Sequence, residues 1–171
     1  MYVGVNGRPF LHPEPGGAIQ TGIKITQELS NLDNVSIDLY GHECIGSQFD
    51  VNNIHSDYFL RRSQLFGLFW EQIALPNIVS DKIDVLFCPN GNNPYYYNKV
   101  PKVTYIHDIL GYLGYSSDHY TKIQQFRVPR IARNSDTIIT VAEFSKSEVV
   151  SKVGVDSSKV EVIHNGSDKI Y

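Results

Sequence analysis

Short apolar segments alternate with longer amphipathic segments along the chain, and this alternation restricts the possible folds more than any other feature. Six short segments are rich in Val, Ile and Tyr, and most end at Gly, Asn, Pro or His, as buried strands do: Tyr2–Val5, Val35–Tyr40, Asp84–Cys88, Lys102–Ile106, Thr137–Val141 and Val160–Ile163. Four longer segments indicate helices: Gly17–Ser30, Ser63–Val79, Ser117–Asn134 and Glu143–Val153. The order predicts an α/β fold, a Rossmann-like three-layer sandwich whose mostly parallel sheet carries helices on both faces.

Three segments fit this scheme less directly. Asn52–Arg62 is either a strand or an irregular loop. Pro129 lies within a helical segment, where it either kinks the helix or begins a new one. Pro89–Pro101 carries turn-forming residues around three tyrosines. The length of 171 residues and the lack of a linker predict one domain over residues 1–171.

Charge and cysteine content exclude several classes of protein. A net charge of −3 and a pI near 6.0 give no basic surface of the kind that nucleic-acid-binding proteins carry. Cys44 and Cys88 are spaced for neither a disulfide framework nor a zinc site, so we expect free thiols in a reducing compartment. The sequence has neither a signal-peptide pattern nor an apolar run long enough to span a membrane. We therefore expect a cytoplasmic protein.

Candidate ligand-binding residues follow the predicted strands, because ligands bind at the carboxyl ends of strands in open parallel sheets. Gly16 and Gly17 precede the first helix, where glycines allow a ligand to approach the backbone and free N–H groups favour an anion. A simple turn explains the pair equally well. The glycine fingerprint of dinucleotide-binding proteins is missing, since the next glycine after Gly17 is Gly22.

His107 and Asp108 follow a strand that we expect near the centre of the sheet. His107 either donates a hydrogen bond to a substrate hydroxyl or phosphate, or bonds a neighbouring backbone carbonyl. Asp108 either contacts the ligand or caps the next turn. Glu143 and Ser145 begin a helix near the same edge, where a carboxylate also complements the helix dipole.

Three further patterns have alternative interpretations. A basic stripe at intervals of three residues, made of Arg127, Arg130 and Arg133, either meets a phosphate or an anionic membrane surface or is a solvated helix face. The segment Tyr95–Tyr97 is either a sugar-stacking platform or a loop that covers the core. The spacing of Phe66, Phe69, Trp70 and Ile73 predicts a buried helix face, with membrane insertion as the alternative.

Read in order, these motifs resemble the N-terminal domain of family 4 glycosyltransferases, which are retaining enzymes of the GT-B fold. The matching pieces span nearly the whole chain: Gly16–Gly17, Leu68–Gln72, Leu75–Pro76, Asp84–Pro89, Val103–Asp108, Ile138–Lys146 and Val160–Gly166. The resemblance implies the acceptor-binding half of a hexosyltransferase, active in polysaccharide biosynthesis. Such an enzyme moves a sugar from a nucleotide sugar to a hydroxyl of a glycan or lipid-linked acceptor, without a metal or other cofactor.

The resemblance also implies roles for individual residues. His107 is the catalytic candidate, which contacts the transferred sugar near the reaction centre. Gly16 and Gly17 approach the donor phosphates and the acceptor. The substrate-binding positions near the crevice are Asp108, Glu143 and Ser145. Two more, Asn165 and Gly166, lie at the hinge to a second domain. A lipid-linked acceptor implies peripheral contact with the inner face of a membrane.

The chain departs from the family pattern in three places. Gly16-Gly17 continues with Ala18-Ile19-Gln20, where the family often has G-G-x-G-R. Ala142 replaces a serine, which removes a helix cap worth roughly 1 kcal/mol. No glutamate is followed by another eight positions later, although the family's donor site carries such a pair.

The missing glutamate pair leads us to expect that the C-terminal nucleotide-sugar domain is absent and the isolated chain is inactive. A donor domain would then act in cis or in trans. Two other functions remain open: a non-catalytic glycan-binding or partner-subunit module, and a dinucleotide-dependent enzyme, which the missing glycine fingerprint disfavours.

Overall fold

A parallel β-sheet forms the centre of the molecule. The computed structural model describes residues 1–12, 14–41, 49, 51, 53–56 and 64–166. Over these residues the sheet has seven parallel strands in the order β3-β2-β1-β4-β5-β6-β7. The strands are β1 (Tyr2–Asn6), β2 (Ser36–Gly41), β3 (Asn53–Ser56), β4 (Val85–Cys88), β5 (Lys102–Tyr105), β6 (Thr137–Thr140) and β7 (Val160–Val162). The predicted Rossmann-like sheet is confirmed.

All but one of the described α-helices lie within the predicted segments, and the exception, Leu110–Leu113, was not predicted. They are α1 (Gly17–Ser30), α2 (Gln64–Phe69), α3 (Leu75–Ile78), α4 (Leu110–Leu113), α5 (Asp118–Arg133) and α6 (Glu143–Glu148). Two π-helical turns, Trp70–Ala74 and Val149–Val153, join α2 to α3 and extend α6. Short 3₁₀ turns are formed by Arg8–Leu11 and Ser157–Lys159.

Alternate side chains of β4 show the three layers directly. Phe87 packs in one cluster with residues of α1, whereas Leu86 and Cys88 pack in another with Trp70 and Leu75. Successive side chains of a strand point to opposite faces of the sheet. Helix α1 therefore covers one face, and the segment from the first π turn through α3 covers the other.

The chain places the second and third strands on one side of β1 and the fourth on the other side. The carboxyl ends of β1 and β4 lie side by side where the direction of winding reverses, and this is where open α/β sheets bind ligands.

The open segment Asn52–Arg62 contains the edge strand β3, which pairs with β2. Polar contacts hold it: Asn53 Nδ2 donates to Asp38 Oδ1 at 2.9 Å, and His55 Nε2 lies 3.0 Å from Asp38 Oδ2. The sequence Asn-Ile-His-Ser has little β propensity, which is why the pattern left this strand undecided.

Two expectations about helices were wrong in part. Helix α5 continues through Pro129, so no new helix begins there; Val128 and Ile131 pack into the core on both sides of the proline and hold the helix together. In the other segment Phe69 and Ile73 are 57% and 49% exposed, whereas Trp70 is buried. The π turn that begins at Trp70 changes the helical phase of the residues after it, so a regular period of 3.6 residues places Ile73 on the wrong face. The side chain of Phe66 lies outside the described residues.

The tyrosine segment serves mainly as core. Tyr95 and Tyr97 are buried and Tyr96 is 84% exposed, so the three rings form no continuous stacking platform. Gln72 bonds the loop backbone on either side of Pro94, with its Nε2 donating to the Asn93 carbonyl at 3.0 Å and its Oε1 accepting from Tyr95 N–H at 2.8 Å. These bonds fix the loop that follows β4.

Cys88 is free and buried within β4, and burial raises the pKa of its thiol. The thiol is therefore inert, as expected for a core residue. Cys44 lies outside the described residues.

Gly22 sets the distance between α1 and the carboxyl end of β4. A Cβ at this position would lie 2.9 Å from Pro89 Cβ and 3.3 Å from Phe10 Cε1. We expect Gly22→Val to lower the free energy of unfolding by about 2–3 kcal/mol, because overpacking forces neighbours to move. Urea denaturation measures the change. Gly17→Val is the control: a Cβ there meets nothing within 4 Å, so a loss above about 0.5 kcal/mol would show that any bulk on α1 destabilises the fold.

Candidate functional site

A cavity of about 690 Å³ lies at the carboxyl ends of β1, β4 and β5. Arg8 and His12 follow β1, and the loop Asn90–Asn92 follows β4. Ala18 and Ile19 contribute the start of α1, and one face of α5 closes the opposite side. The volume suits a mono- or disaccharide-sized ligand.

His107 lies in the wall of this cavity. Its Nε2 is 3.1 Å from the Pro89 carbonyl oxygen, and its ring packs against Tyr105 with 4.1 Å between centroids. A carbonyl only accepts hydrogen bonds, so Nε2 carries the proton and the neutral ring retains Nδ1 as an acceptor. The backbone-carbonyl interpretation is therefore confirmed for Nε2. The free Nδ1 of the neutral ring accepts a hydrogen bond and cannot donate one, so donation to a substrate is the wrong interpretation for this ring, and contact of His107 with a substrate stays a prediction.

Burial lowers the pKa of His107, and the Pro89 carbonyl and Asp108 only partly oppose this effect. The folded state thus binds a proton at His107 more weakly than the unfolded chain does. The neutral ring therefore contributes fully to the free energy of unfolding above the unfolded pKa of about 6.5. This contribution is lost as the pH falls through the lower pKa of the folded state.

We expect His107 to titrate below the pKa of a histidine peptide, with the proton on Nε2 at neutral pH. NMR titration of the imidazole carbon and nitrogen resonances measures both. A His107 pKa at or above that of a histidine peptide, or a proton on Nδ1, would contradict the buried and carbonyl-bonded ring.

Asp108 also lines the cavity, but its Oδ1 accepts a hydrogen bond from Leu110 N–H at 2.9 Å. This bond occupies the first backbone N–H of α4, whose N-cap residue is Ile109. One carboxylate oxygen of the exposed Asp108 is therefore engaged in the turn that begins α4, and contact of Asp108 with a ligand stays a prediction.

Gly16 and Gly17 are the N-cap and first residue of α1, both exposed. No side chain caps this helix end, and a Cβ at either glycine would meet nothing within 4 Å. The next two residues, Ala18 and Ile19, line the cavity. The glycine pair thus borders the cavity with open space around its backbone.

The remaining predicted site residues lie outside the cavity wall. Glu143 is exposed at the first position of α6, and Ser145 follows within that helix. Asn165 connects to the cavity indirectly, because its Oδ1 accepts a hydrogen bond at 2.8 Å from the hydroxyl of Tyr105, a wall residue. Gly166 is exposed. The ligand roles of all four residues stay predictions.

Sequence reasoning missed a buried ionic cluster beside the cavity. Glu71, at 0% exposure, accepts hydrogen bonds from Arg8 Nη1 to Oε1 at 2.6 Å and from Arg127 Nη2 to Oε2 at 3.0 Å. Burial raises the pKa of Glu71, while the two guanidinium groups act in the opposite direction. Glu71 was visible as the acidic residue within an apolar helical segment and as part of the matching piece Leu68–Gln72, but neither gave it a partner.

The basic stripe divides between two environments. Arg127 points inward at 15% exposure and also bonds Asn92 Oδ1 at 2.7 Å and the Tyr95 hydroxyl at 3.2 Å. Arg130 lies over the Phe126 ring at 3.5 Å from its centroid, and Arg133 is exposed. A continuous solvated face was therefore the wrong interpretation for Arg127, whose position next to Val128 places it at the edge of the packed face of α5.

Within the described ranges of the chain, no three His, Cys, Asp or Glu side chains converge as metal ligands. Within the same ranges, no helix has the length and apolar character needed to cross a membrane.

Comparison with known proteins gives a family and a fold. The family model described as Glycosyltransferase Family 4 matches residues 16–169. Curated protein sequences include no significant match.

Two solved structures are similar in fold. One is Anabaena Alr3699/HepE in complex with UDP and glucose, with a TM-score of 0.59, 18% identity, and coverage of 98% of this chain and 45% of that one. The other is a glycosyltransferase from Rickettsia africae ESF-5, with a TM-score of 0.53, 10% identity, and coverage of 96% and 42%. The chain thus spans less than half the length of either structure.

Proposed function

The chain belongs to Glycosyltransferase Family 4, and from this we propose that it is the acceptor-binding half of a retaining hexosyltransferase. The enzyme transfers a sugar from a nucleotide-sugar donor to a hydroxyl of a glycan or lipid-linked acceptor. The cavity at the ends of β1, β4 and β5 receives the acceptor, and His107 lies beside the reacting hydroxyl.

The observation that carries this proposal is the placement of His107 in a sugar-sized cavity at the switch point of the sheet. Because Nε2–H is bonded to the Pro89 carbonyl, Nδ1 of the neutral ring accepts a hydrogen bond from a hydroxyl of the sugar that receives the transfer. Burial keeps the ring neutral near pH 7, as this hydrogen bond requires. The fixed ring orients the hydroxyl, and orientation is a large part of catalysis between two bound substrates.

We place most of the donor contacts on a second domain, supplied in cis or as a separate subunit. The similar Anabaena structure holds UDP and glucose, and this chain corresponds to 45% of it. The sequence also has no glutamate pair at the spacing of the family's donor site. Gly16 and Gly17 meet the donor phosphates when the two domains close, since α1 presents uncapped N–H groups there.

Apolar side chains beside the cavity support a lipid-linked acceptor and peripheral membrane contact. Tyr120 lines the cavity and is 48% exposed, and Phe126, next to Arg127, is 55% exposed. Phe69, next to the wall residue Leu68, is also exposed. Exposed rings around a binding site are suited to an acyl chain or to the interface of a membrane.

The test has two arms, binding and turnover. The 171-residue chain is titrated with mono- and oligosaccharides and with NAD, and it is assayed for nucleotide-sugar turnover alone and with a family 4 donor domain added. We expect saccharide binding, no NAD binding, and turnover only with the donor domain. Turnover by the chain alone at a rate typical of the family would contradict the division of roles. NAD binding without saccharide binding would overturn the proposal in favour of a dinucleotide enzyme.

The mass of the native polypeptide selects the second arm. An antibody to this domain that detects a species of about 19 kDa directs the assay to a separate donor subunit. A species about twice that mass directs it to the native protein itself. Saccharide binding without turnover in either setting would leave a non-catalytic glycan-binding module.

A further inference from the structure

Two arginines in the cavity wall keep free hydrogen-bond donors. A guanidinium has five N–H bonds, and Arg8 uses Nη1 while Arg127 uses Nη2 and Nε. Among the hydrogen bonds of the described residues, none involves Arg8 Nε, Arg8 Nη2 or Arg127 Nη1. Both side chains line the cavity, at 20% and 15% exposure. Cations this far from solvent and with unused donors favour an anionic partner.

Glu71 fixes both guanidinium groups from behind. Its two carboxylate oxygens each accept from one arginine, and the residue is fully buried, so no part of it faces a ligand. Two positive charges meet one negative charge, which leaves the cluster with one net positive charge. Asp108 is the carboxylate among the described wall residues, and one of its oxygens already accepts a hydrogen bond from the first N–H of α4. The remaining titratable wall groups are His12, His107 and Tyr105, along with Tyr120.

Gly67 is independent evidence that the fold holds the Arg8 side chain in one position. A Cβ on Gly67 would overlap the Arg8 guanidinium, which lies directly against α2 at this point. Glycine inside a helix costs about 1 kcal/mol relative to alanine. The helix therefore carries a destabilising residue at the place where it admits the arginine.

We infer that Arg8 and Arg127, positioned by Glu71, form a subsite for an oxyanion, either a phosphate or a carboxylate, on the acceptor. This inference rests on the proposed function and narrows its substrate class to acidic acceptors. A planar guanidinium offers paired N–H donors that match the oxygens of either group. The anion neutralises the net charge of the cluster and fixes the acceptor in the same cavity as His107.

The test is a binding titration of the 171-residue chain with three probes: glucose 6-phosphate, glucuronate and glucose. Calorimetry gives the affinities, and the side-chain Nε–H resonances of Arg8 and Arg127 report the site by NMR. We expect at least one acidic sugar to bind tenfold or more tightly than glucose and to shift both resonances. Equal affinity for all three, or shifts elsewhere only, would overturn the inference.

Arg127→Gln should weaken binding of the acidic sugar at least tenfold, whereas Arg133→Gln should leave it unchanged. Arg133 lies on the same helix, is exposed and lies outside the cavity wall, so it reports only the loss of one positive charge. Equal losses in the two variants would indicate diffuse electrostatic attraction and overturn the subsite.

Two further variants keep the test valid if Arg127→Gln unfolds the chain. In Glu71→Gln with Arg127→Gln the buried charge is removed together with its partner, and the acidic sugar should still bind at least tenfold more weakly. Gly67→Ala displaces Arg8 by the overlap described above and should also weaken the acidic sugar but not glucose. Wild-type affinity in both variants would overturn the inference.

A nucleotide arm separates acceptor from donor chemistry. UDP is titrated into the same variants, and we expect its affinity to be independent of Arg127. If Arg127→Gln weakens UDP as much as the acidic sugar, the anion subsite belongs to the donor and the acceptor assignment is wrong. These readouts need no turnover, so a failure of sugar transfer contradicts the proposed function alone.

Discussion

Replacing Glu71 by alanine should lower the free energy of unfolding by about 3–5 kcal/mol, the range for removing one partner of a buried ion pair. The variant leaves Arg8 and Arg127 largely buried, with no carboxylate opposite them. It also opens space between the first π turn and α5, which Glu71 now connects through Arg127. Urea denaturation followed by circular dichroism measures the change.

Two companion variants show what causes the loss. Glu71→Gln keeps the shape and a hydrogen-bond acceptor, so it should lose less than the alanine variant. Glu161→Ala removes an exposed glutamate from β7 and should change stability by no more than about 0.5 kcal/mol. A loss below about 1 kcal/mol for Glu71→Ala would show that the cluster behaves like a surface ion pair, despite its burial.

Regular periodicity was sufficient to predict most of the sheet and helices. β4 is a continuous apolar run bounded by turn residues, because it is an interior strand covered on both faces. Helix α1 matches its predicted range, since its apolar residues recur at the helical period along one face. These elements depend mainly on which residues are buried, and the spacing of apolar residues along the sequence indicates that directly.

Elements that depend on polar contacts between distant parts of the sequence were not predicted from periodicity. β3 is held to β2 by Asp38, which lies 15 residues before Asn53 in the sequence. Around the π turn that begins at Trp70, Phe69 and Ile73 are exposed while Glu71 is buried, and no local pattern marks where a helix adds an extra residue. Such features follow from partners that only the folded chain brings together.

The candidate site shows the same division. His107 and Asp108 were found because the carboxyl ends of parallel strands predict where a ligand binds. The ionic cluster was missed because its members are far apart in the sequence. Arg8 and Glu71 are separated by 63 residues, and Glu71 and Arg127 by 56. A single acidic residue in an apolar segment is the one local signal, since a buried carboxylate requires a cationic partner.

Replacing His107 by alanine should lower kcat of the complete transferase, with its donor domain present, by about 10²–10³-fold, the usual loss for a polar group at a reaction centre. The acceptor KM should change far less, because the arginines and the cavity walls remain. Steady-state kinetics with varied acceptor measure both constants. His119→Ala, an exposed histidine on α5, should leave both unchanged.

His107→Gln separates chemistry from structure at this position. The glutamine amide has a donor for the Pro89 carbonyl, which is the bond that Nε2 now makes, and an Oε1 acceptor, but it lacks the imidazole ring and its basic Nδ1. If the ring acts on the reacting hydroxyl, His107→Gln is as slow as His107→Ala, although its stability is closer to wild type. If His107 only secures the turn after β4, the glutamine variant regains activity together with stability, and the catalytic role fails. A kcat loss that persists when stability is restored is therefore the result that assigns His107 to the reaction.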